Sequence, residues 1–187
     1  GLGDVYKRQN SLAAVGATTT LSNLMIGFLM GLANGFAIIT AQKFGARDYA
    51  GVKKSFALSI KMGCIIALAI TVLCLLFLRQ ILGFLNVSND LMGMAVSYIF
   101  IIIAGLVATF LYDACAAALR ALGDTVTPLV SSSLEMVGKI VIAFTLVPLL
   151  GYTGVIVAEP IVWFIMVIPL LVKIYTMPVL RKRGHGI

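Results

Sequence analysis

The sequence predicts an all-α integral membrane protein with five transmembrane helices, and three observations carry that expectation. Of its 187 residues, 61% are hydrophobic and 11% charged, with a mean hydropathy of +1.09; a soluble domain holds roughly 25% charged residues. The apolar residues gather into long runs, such as the 22 uncharged residues from Leu91 to Tyr112. A run of that length crosses roughly 30 Å of hydrocarbon at about 1.5 Å per residue. The cations give a net charge of +7, yet they lie in loops between apolar runs and not on one polar face mixed with aromatics. That is the pattern of membrane topology, not of nucleic-acid binding.

GLGDVYKRQ, which opens on Gly1, fits neither a signal peptide nor a helix and resembles translated adaptor sequence. Residues 1–10 are therefore set aside as an artefactual or disordered leader, and the chain is expected to be a piece of a longer protein. The membrane region is expected over 11–175, with spans at about 18–41, 55–78, 91–119, 126–150 and 155–172, and a basic tail over 176–187.

In the first span Gly27, Gly31 and Gly35 repeat every fourth residue. One face thus lets another backbone approach, either as a packing face or as the lining of a substrate cleft. The polar loop Gln42 to Lys54 carries four cations into the second span. Lys61 sits early in that span, where its side chain can snorkel to the interface, and Arg79 closes it. Asn86 to Asp90 make a turn before the third span, which ends in DACAAALRALGDTVTP, Asp113 to Pro128. There Gly123 suits a helix stop, Asp124 and Thr125 an N-cap, and Pro128 the first turn of the fourth span, where its missing N–H costs nothing. Pro148 and the GYTG turn, Gly151 to Gly154, stop that span, and the fifth follows with Pro160 and Pro169 in or near it.

Five spans put the two ends on opposite sides. The loops of one face and the tail hold Lys43, Arg47, Lys53, Lys54, Arg120, Lys173, Arg181, Lys182 and Arg183, nine cations. The other face holds Arg79, with Lys7 and Arg8 of the leader. By the positive-inside rule the nine-cation face, and with it the C-terminal tail, is cytoplasmic.

A charge at mid-bilayer costs at least roughly 2.5 kcal/mol, so each one within a span must face protein or water and find a partner. Asp113 lies seven residues before Arg120, and Glu135 seven residues past Pro128. Both then stand roughly 10 Å inside the same face at about 1.5 Å per residue, on adjoining antiparallel helices. Lys139 is one turn beyond Glu135, in the order that favours an i,i+4 pair. Two readings stay open. Glu135 and Lys139 neutralise each other so that the helix inserts, or Asp113, Glu135 and Lys139 form a proton or cation site in which an acid exchanges H⁺. Glu159 and Trp163, in the outer half of the fifth span, are interfacial or cleft residues; Trp is by type an interface anchor.

Cys64, Cys74 and Cys115 fall inside apolar runs without metal or redox spacing and read as small hydrophobes. The single histidine, His185, is in the tail, and no HExxH, Walker sequence or nucleophile elbow occurs. Neither a metal site nor an enzyme is expected, and no cofactor beyond a coupling ion.

Three stretches carry a family resemblance: LAAVGATTTLSNLMIGFLMGLANGFAIITAQKFGARDYAGVKKSFA (Leu12 to Ala57), ALRALGDTVTPL (Ala118 to Leu129) and PLLGYTGVIVAEPIVW (Pro148 to Trp163). The pattern resembles the multidrug and toxic compound extrusion (MATE) family over nearly everything after Asn10. The resemblance implies a partial six-helix lobe of a twelve-helix MATE-type transporter, with helices two to six present and the first absent, the two lobes being related by a pseudo-two-fold. EMVGK together with the third stretch looks more like the second lobe. It further implies secondary active multidrug efflux across the plasma membrane by alternating access, an antiport of amphipathic, often cationic compounds against H⁺ or Na⁺. The implied partners are the lipid bilayer, a small-molecule substrate and the missing part of its own chain. Some relatives couple through an acid of the first helix and others through acids of the second lobe. Asp113 stands where many relatives have Asn, so no family cation ligand is carried over, and Asp113, Glu135 and Lys139 are singled out by membrane depth and cost. The alternatives are a lipid-linked oligosaccharide flippase, which would be expected to have a more cationic cavity than Lys139 supplies, and a non-transporting membrane scaffold or channel subunit.

Overall fold

The computed structural model describes the backbone of residues 2–85, 87 and 89–181, and the side chains of these except 2–15, 17, 89–91, 152–153, 155–157, 159 and 181. All regular structure among them is helical: α1 (Leu2–Gly45), α2 (Tyr49–Leu76), α3 (Leu78–Phe84), α4 (Asn89–Ala104), α5 (Leu106–Ala121), α6 (Val126–Leu150), α7 (Tyr152–Thr176) and α8 (Pro178–Arg181). Thr18–Gly45 of α1, all of α2 and all of α6 are long and apolar enough to cross a bilayer, and α4 with α5 makes a fourth candidate bent by 41°. The apolar stretch Pro160–Thr176 of α7 is shorter. Large apolar side chains point outward along these helices, Leu24, Phe28, Leu68, Phe144 and Phe164 among them. Lipid or further protein, not water, is the environment that suits such a surface.

Three expectations are corrected. The stretch expected to lie outside any helix is helical from Leu2 onward. The second span does not run to residue 78 as one rod; α2 stops at Leu76 and turns at Phe77 into α3. The third span breaks at Gly105, where the six-membered ring of Trp163, 58 residues away in the chain on α7, fills the space a Cβ on Gly105 would take. The carbonyls flanking the break accept hydroxyls: Thr71 of α2 shares its single O–H between Ala67 O at 2.8 Å and Ile103 O at 3.3 Å, and Thr109 donates to Gly105 O at 3.2 Å. Threonine hydroxyls that serve backbone carbonyls make a bend tolerable where no water can reach.

The kinked α5 lies at the centre, packed against α1, α2, α6 and α7. Its run Ala114 to Leu119 is buried throughout, and the small side chains Cys115, Ala116, Ala117 and Ala118 let neighbours close on every side. Above it the main core joins Met25, Leu29 and Ala33 of α1 to Ala67, Leu82, Ile99, Ile103, Leu106 and Phe110. Phe110 lies flush against Gly63 of α2, where any side chain would collide with its ring. The helices α6 and α7 form a hairpin held at Ser131, whose hydroxyl donates to Met166 O.

Two loops at one end of the bundle share a design. After α1, Arg47 takes a left-handed conformation (φ 57°), and Asp48 N–H donates back to Lys43 O at 2.9 Å. After α5, Gly123 (φ 88°) does the same, and Asp124 N–H donates to Leu119 O at 2.9 Å. These are Schellman stops, which satisfy the last carbonyls of a helix. In each the next residue is an aspartate that caps the following helix. Asp48 accepts from Gly51 N–H at 2.8 Å, and Asp124 accepts from Thr127 N–H at 3.0 Å and from its hydroxyl at 2.8 Å. The polar loop expected over residues 42–54 thus shrinks to three residues between α1 and α2.

Candidate functional site

A cavity of about 300 Å³ opens between α1, α4, α5, α6 and α7. The 41° bend between α4 and α5 lies beside it, and Trp163, packed over Gly105 at the break, forms part of the wall. From α1 come Thr19, Ser22 and Asn23, from α4 Tyr98 and Ile102, from α5 Tyr112 and Asp113, and from α6 Glu135 and Lys139. Tyr112 Oη lies 2.9 Å from Ser132 Oγ, tying α5 to α6 beside the acids.

Asp113, Glu135 and Lys139 therefore face one space. Lys139 Nζ is 3.0 Å from Glu135 Oε1, one helical turn apart, and that pair neutralises itself. Asp113 is left over. Its Oδ2 is buried and has no hydrogen-bond partner among the described residues, while Arg120 and Glu135 stand within electrostatic reach of it. The wall thus carries two acids against one base. A carboxylate in such a place is costly unless it binds a proton, a cation or a donor.

Of the other residues singled out from sequence, Trp163 joins this wall and the three glycines of the first span do not. Gly27, Gly31 and Gly35 are exposed, with open space where their side chains would be. They do not line the cavity and meet no backbone among the described residues; the buried face of α1 is Thr18, Ser22, Met25, Leu29 and Ala33. Trp163 stands inside the bundle, over Gly105 and against the cavity, and does not hang at an interface. The side chain of Glu159 lies outside the described residues, as does the tail beyond Arg181. Lys61 is exposed.

Tyr98, Tyr112 and Asn23 had no place in the sequence reading. A signal existed for the two tyrosines, which are 14 residues apart and so fall close to one face of a helix at about 3.6 residues per turn. Asn23 is a polar amide inside an apolar span, a rarity that marks inward-facing positions.

At the loop end the charges are arranged differently. Lys173 Nζ of α7 is 3.1 Å from Asp124 Oδ2, and Lys43 Nζ is 3.3 Å from Asp48 Oδ2. The Thr127 amide, its hydroxyl and Lys173 hold the Asp124 carboxyl below its usual range, and the Gly51 amide with Lys43 does so for Asp48.

The family model described as MatE matches residues 5–145. In sequence the chain is similar to "Probable multidrug resistance protein YoeA" of Bacillus subtilis (strain 168), with 25% identity over 182 residues, 94% of this chain and 38% of that protein. In structure it is similar to a MATE protein in a bent conformation, with a TM-score of 0.85 at 20% identity over 95% of this chain and 41% of that one. It is also similar to the inward-facing conformation of a multidrug resistance MATE family transporter of the MOP superfamily, with a TM-score of 0.80 at 25% identity over 92% of this chain and 39% of that one. The chain spans about two fifths of the length of these relatives.

Proposed function

The chain belongs to the MatE family, and on that premise we propose that it forms most of one lobe of a secondary transporter that exports amphipathic cations across the plasma membrane in exchange for H⁺ or Na⁺. The observation that carries the reading is the convergence of Asp113 on the Glu135–Lys139 pair in one aromatic-walled cavity. An organic cation is served there by two kinds of group: the acid supplies charge, and the faces of Tyr98, Tyr112 and Trp163 attract a cation further. The same acid accepts H⁺ or Na⁺ in the absence of substrate, so one site serves both ligands in turn. That mutual exclusion, repeated on opposite sides as the lobes rock, is what exchange by alternating access requires. By the positive-inside rule, the end bearing Lys43, Asp48, Asp124 and Lys173 lies in the cytoplasm with the tail.

The carrying of a lipid-linked pyrophosphate has less support, because the cavity's lysine is already paired with Glu135. The test is ion-gradient-driven movement of a fluorescent cation by the full-length protein in vesicles. Glu135→Gln and Asp113→Asn are each expected to remove gradient-coupled movement while leaving the protein in the membrane. Unchanged movement in both variants would take the acids out of the mechanism, and no gradient-driven movement by the wild type would leave a scaffold or channel as the better account.

A further inference from the structure

A second opening lies at the loop end of the bundle, well away from the cavity. It is a groove of about 530 Å³ lined by Lys53, Phe56 and Ala57 of α2, Ile174 and Tyr175 of α7, and Leu180 of α8. That volume lies within the roughly 300–1,000 Å³ of ligand-binding clefts. Its floor is firm, since Phe56 and Ile174 pack on the buried cluster of Cys115, Ala116, Leu119 and Leu170. The groove has a polar end and an apolar end. Lys53 sits in the first turns of α2 and Tyr175 in the last turn of α7, whereas Phe56, Ala57, Ile174 and Leu180 offer only carbon.

The charges of this end of the bundle are unequally used. Lys43 and Lys173 are taken by Asp48 and Asp124. Arg47, Lys53, Lys54 and Arg120 make no ion pair among the described residues. The loop end thus carries cations without an ion pair, and one of them, Lys53, lines a half-apolar groove located where two membrane helices reach their ends. The ligand whose chemistry matches both halves is amphipathic and anionic, and the bilayer supplies it.

We propose that the groove between α2, α7 and α8 binds an anionic phospholipid, its phosphate at the Lys53 ammonium and the Tyr175 hydroxyl and an acyl chain along Phe56, Ala57, Ile174 and Leu180. The lipid braces the short α8 against α2 and α7. A soluble phosphate would gain nothing from the apolar floor, and a zwitterionic lipid would bring a cation into a basic end.

The experiment is native mass spectrometry of the detergent-solubilised full-length protein with phosphatidylglycerol or phosphatidylcholine added at matched concentrations. The wild type is expected to retain phosphatidylglycerol in preference to phosphatidylcholine. Lys53→Gln is expected to weaken that retention about fivefold, the effect of one lysine near an anionic headgroup, and Tyr175→Phe to weaken it less. Lys54→Gln, next in sequence but outside the groove, is expected to retain lipid as the wild type does. Excess inorganic phosphate is expected to leave the bound lipid in place. Equal retention by Lys53→Gln and wild type, equal loss in Lys54→Gln, or displacement by inorganic phosphate would overturn the site. So would a wild type that retains no phosphatidylglycerol, because the groove would then be covered by another part of the chain.

Discussion

At the loop end, Asp124 accepts from the Thr127 amide and hydroxyl and meets Lys173 at 3.1 Å. Eleven residues earlier on the neighbouring helix, Asp113 has a buried oxygen without a partner among the described residues. The same side chain has been given every donor it can use in one place and left short of donors in the other. A fully bonded carboxylate fixes structure, because breaking it costs several hydrogen bonds at once. An under-bonded one in a cavity wall leaves capacity for a ligand. The contrast teaches that in this bundle polar satisfaction, more than charge, separates residues that hold the fold from a residue poised to act.

The strongest way to break that contrast is to exchange the two effects. Asp113→Asn in the full-length protein is expected to reduce gradient-coupled export to the background of protein-free vesicles while the thermal midpoint in detergent barely moves. Asp124→Ala is expected to do the reverse, removing the cap and the Lys173 contact, lowering stability by about 1 kcal/mol and leaving coupling in place. Export lost in Asp124→Ala with an unchanged midpoint would erase the distinction.

Next in size is the wedge that shapes the cavity. Gly105→Leu drives a side chain into the Trp163 ring and is expected to cost about 1–3 kcal/mol by overpacking. In a double-mutant cycle with Trp163→Ala the two costs are expected to fall short of their sum, because the second change removes the clash. Simple additivity, read by thermal unfolding, would show that the ring does not pack over Gly105.

Acid should separate the two regions too. The carboxyls of Asp48 and Asp124 are held below their usual range by the Gly51 and Thr127 amides. Their contribution is present above the unfolded value of about 4 and is lost as pH falls through the lower folded value. Unfolding followed from pH 5 down to pH 2 is therefore expected to show a loss of stability that is smaller in Asp48→Asn/Asp124→Asn. The smallest effect is local to Arg47. A left-handed residue with a Cβ costs roughly 1–2 kcal/mol, of which glycine's flexibility gives back roughly 0.5–1. Arg47→Gly is expected to raise stability by about 0.5 kcal/mol, and a loss would mean that the Arg47 side chain makes contacts that matter.

Much of the helical layout could be read from sequence because its punctuation is local. Val126 to Leu150 is bounded by Asp124 and Gly151, and counting seven residues from Arg120 and from Pro128 brings Asp113 and Glu135 to similar depth. What escaped depends on partners distant in the chain. Nothing near Gly105 announces a break, since the run around it is apolar and the ring packed over it belongs to α7. The spacing of Gly27, Gly31 and Gly35 says that a backbone can approach, but not which way the helix is turned. Thr18, Ser22 and Ala33 won the inward face. Sequence left Trp163 between an interface and a cleft, and its ring lies in the cavity wall over Gly105, in the notch where a Cβ is missing.

That notch also limits how the lobe can move. With the indole seated in it like a tooth in a rack, a lengthwise slide of α7 past the α4–α5 break would first have to lift the ring clear. Ser131, bonded to Met166 O, hitches α6 to the same load. A pivot in which all three turn together would tilt the walls of the chamber while keeping their own spacing.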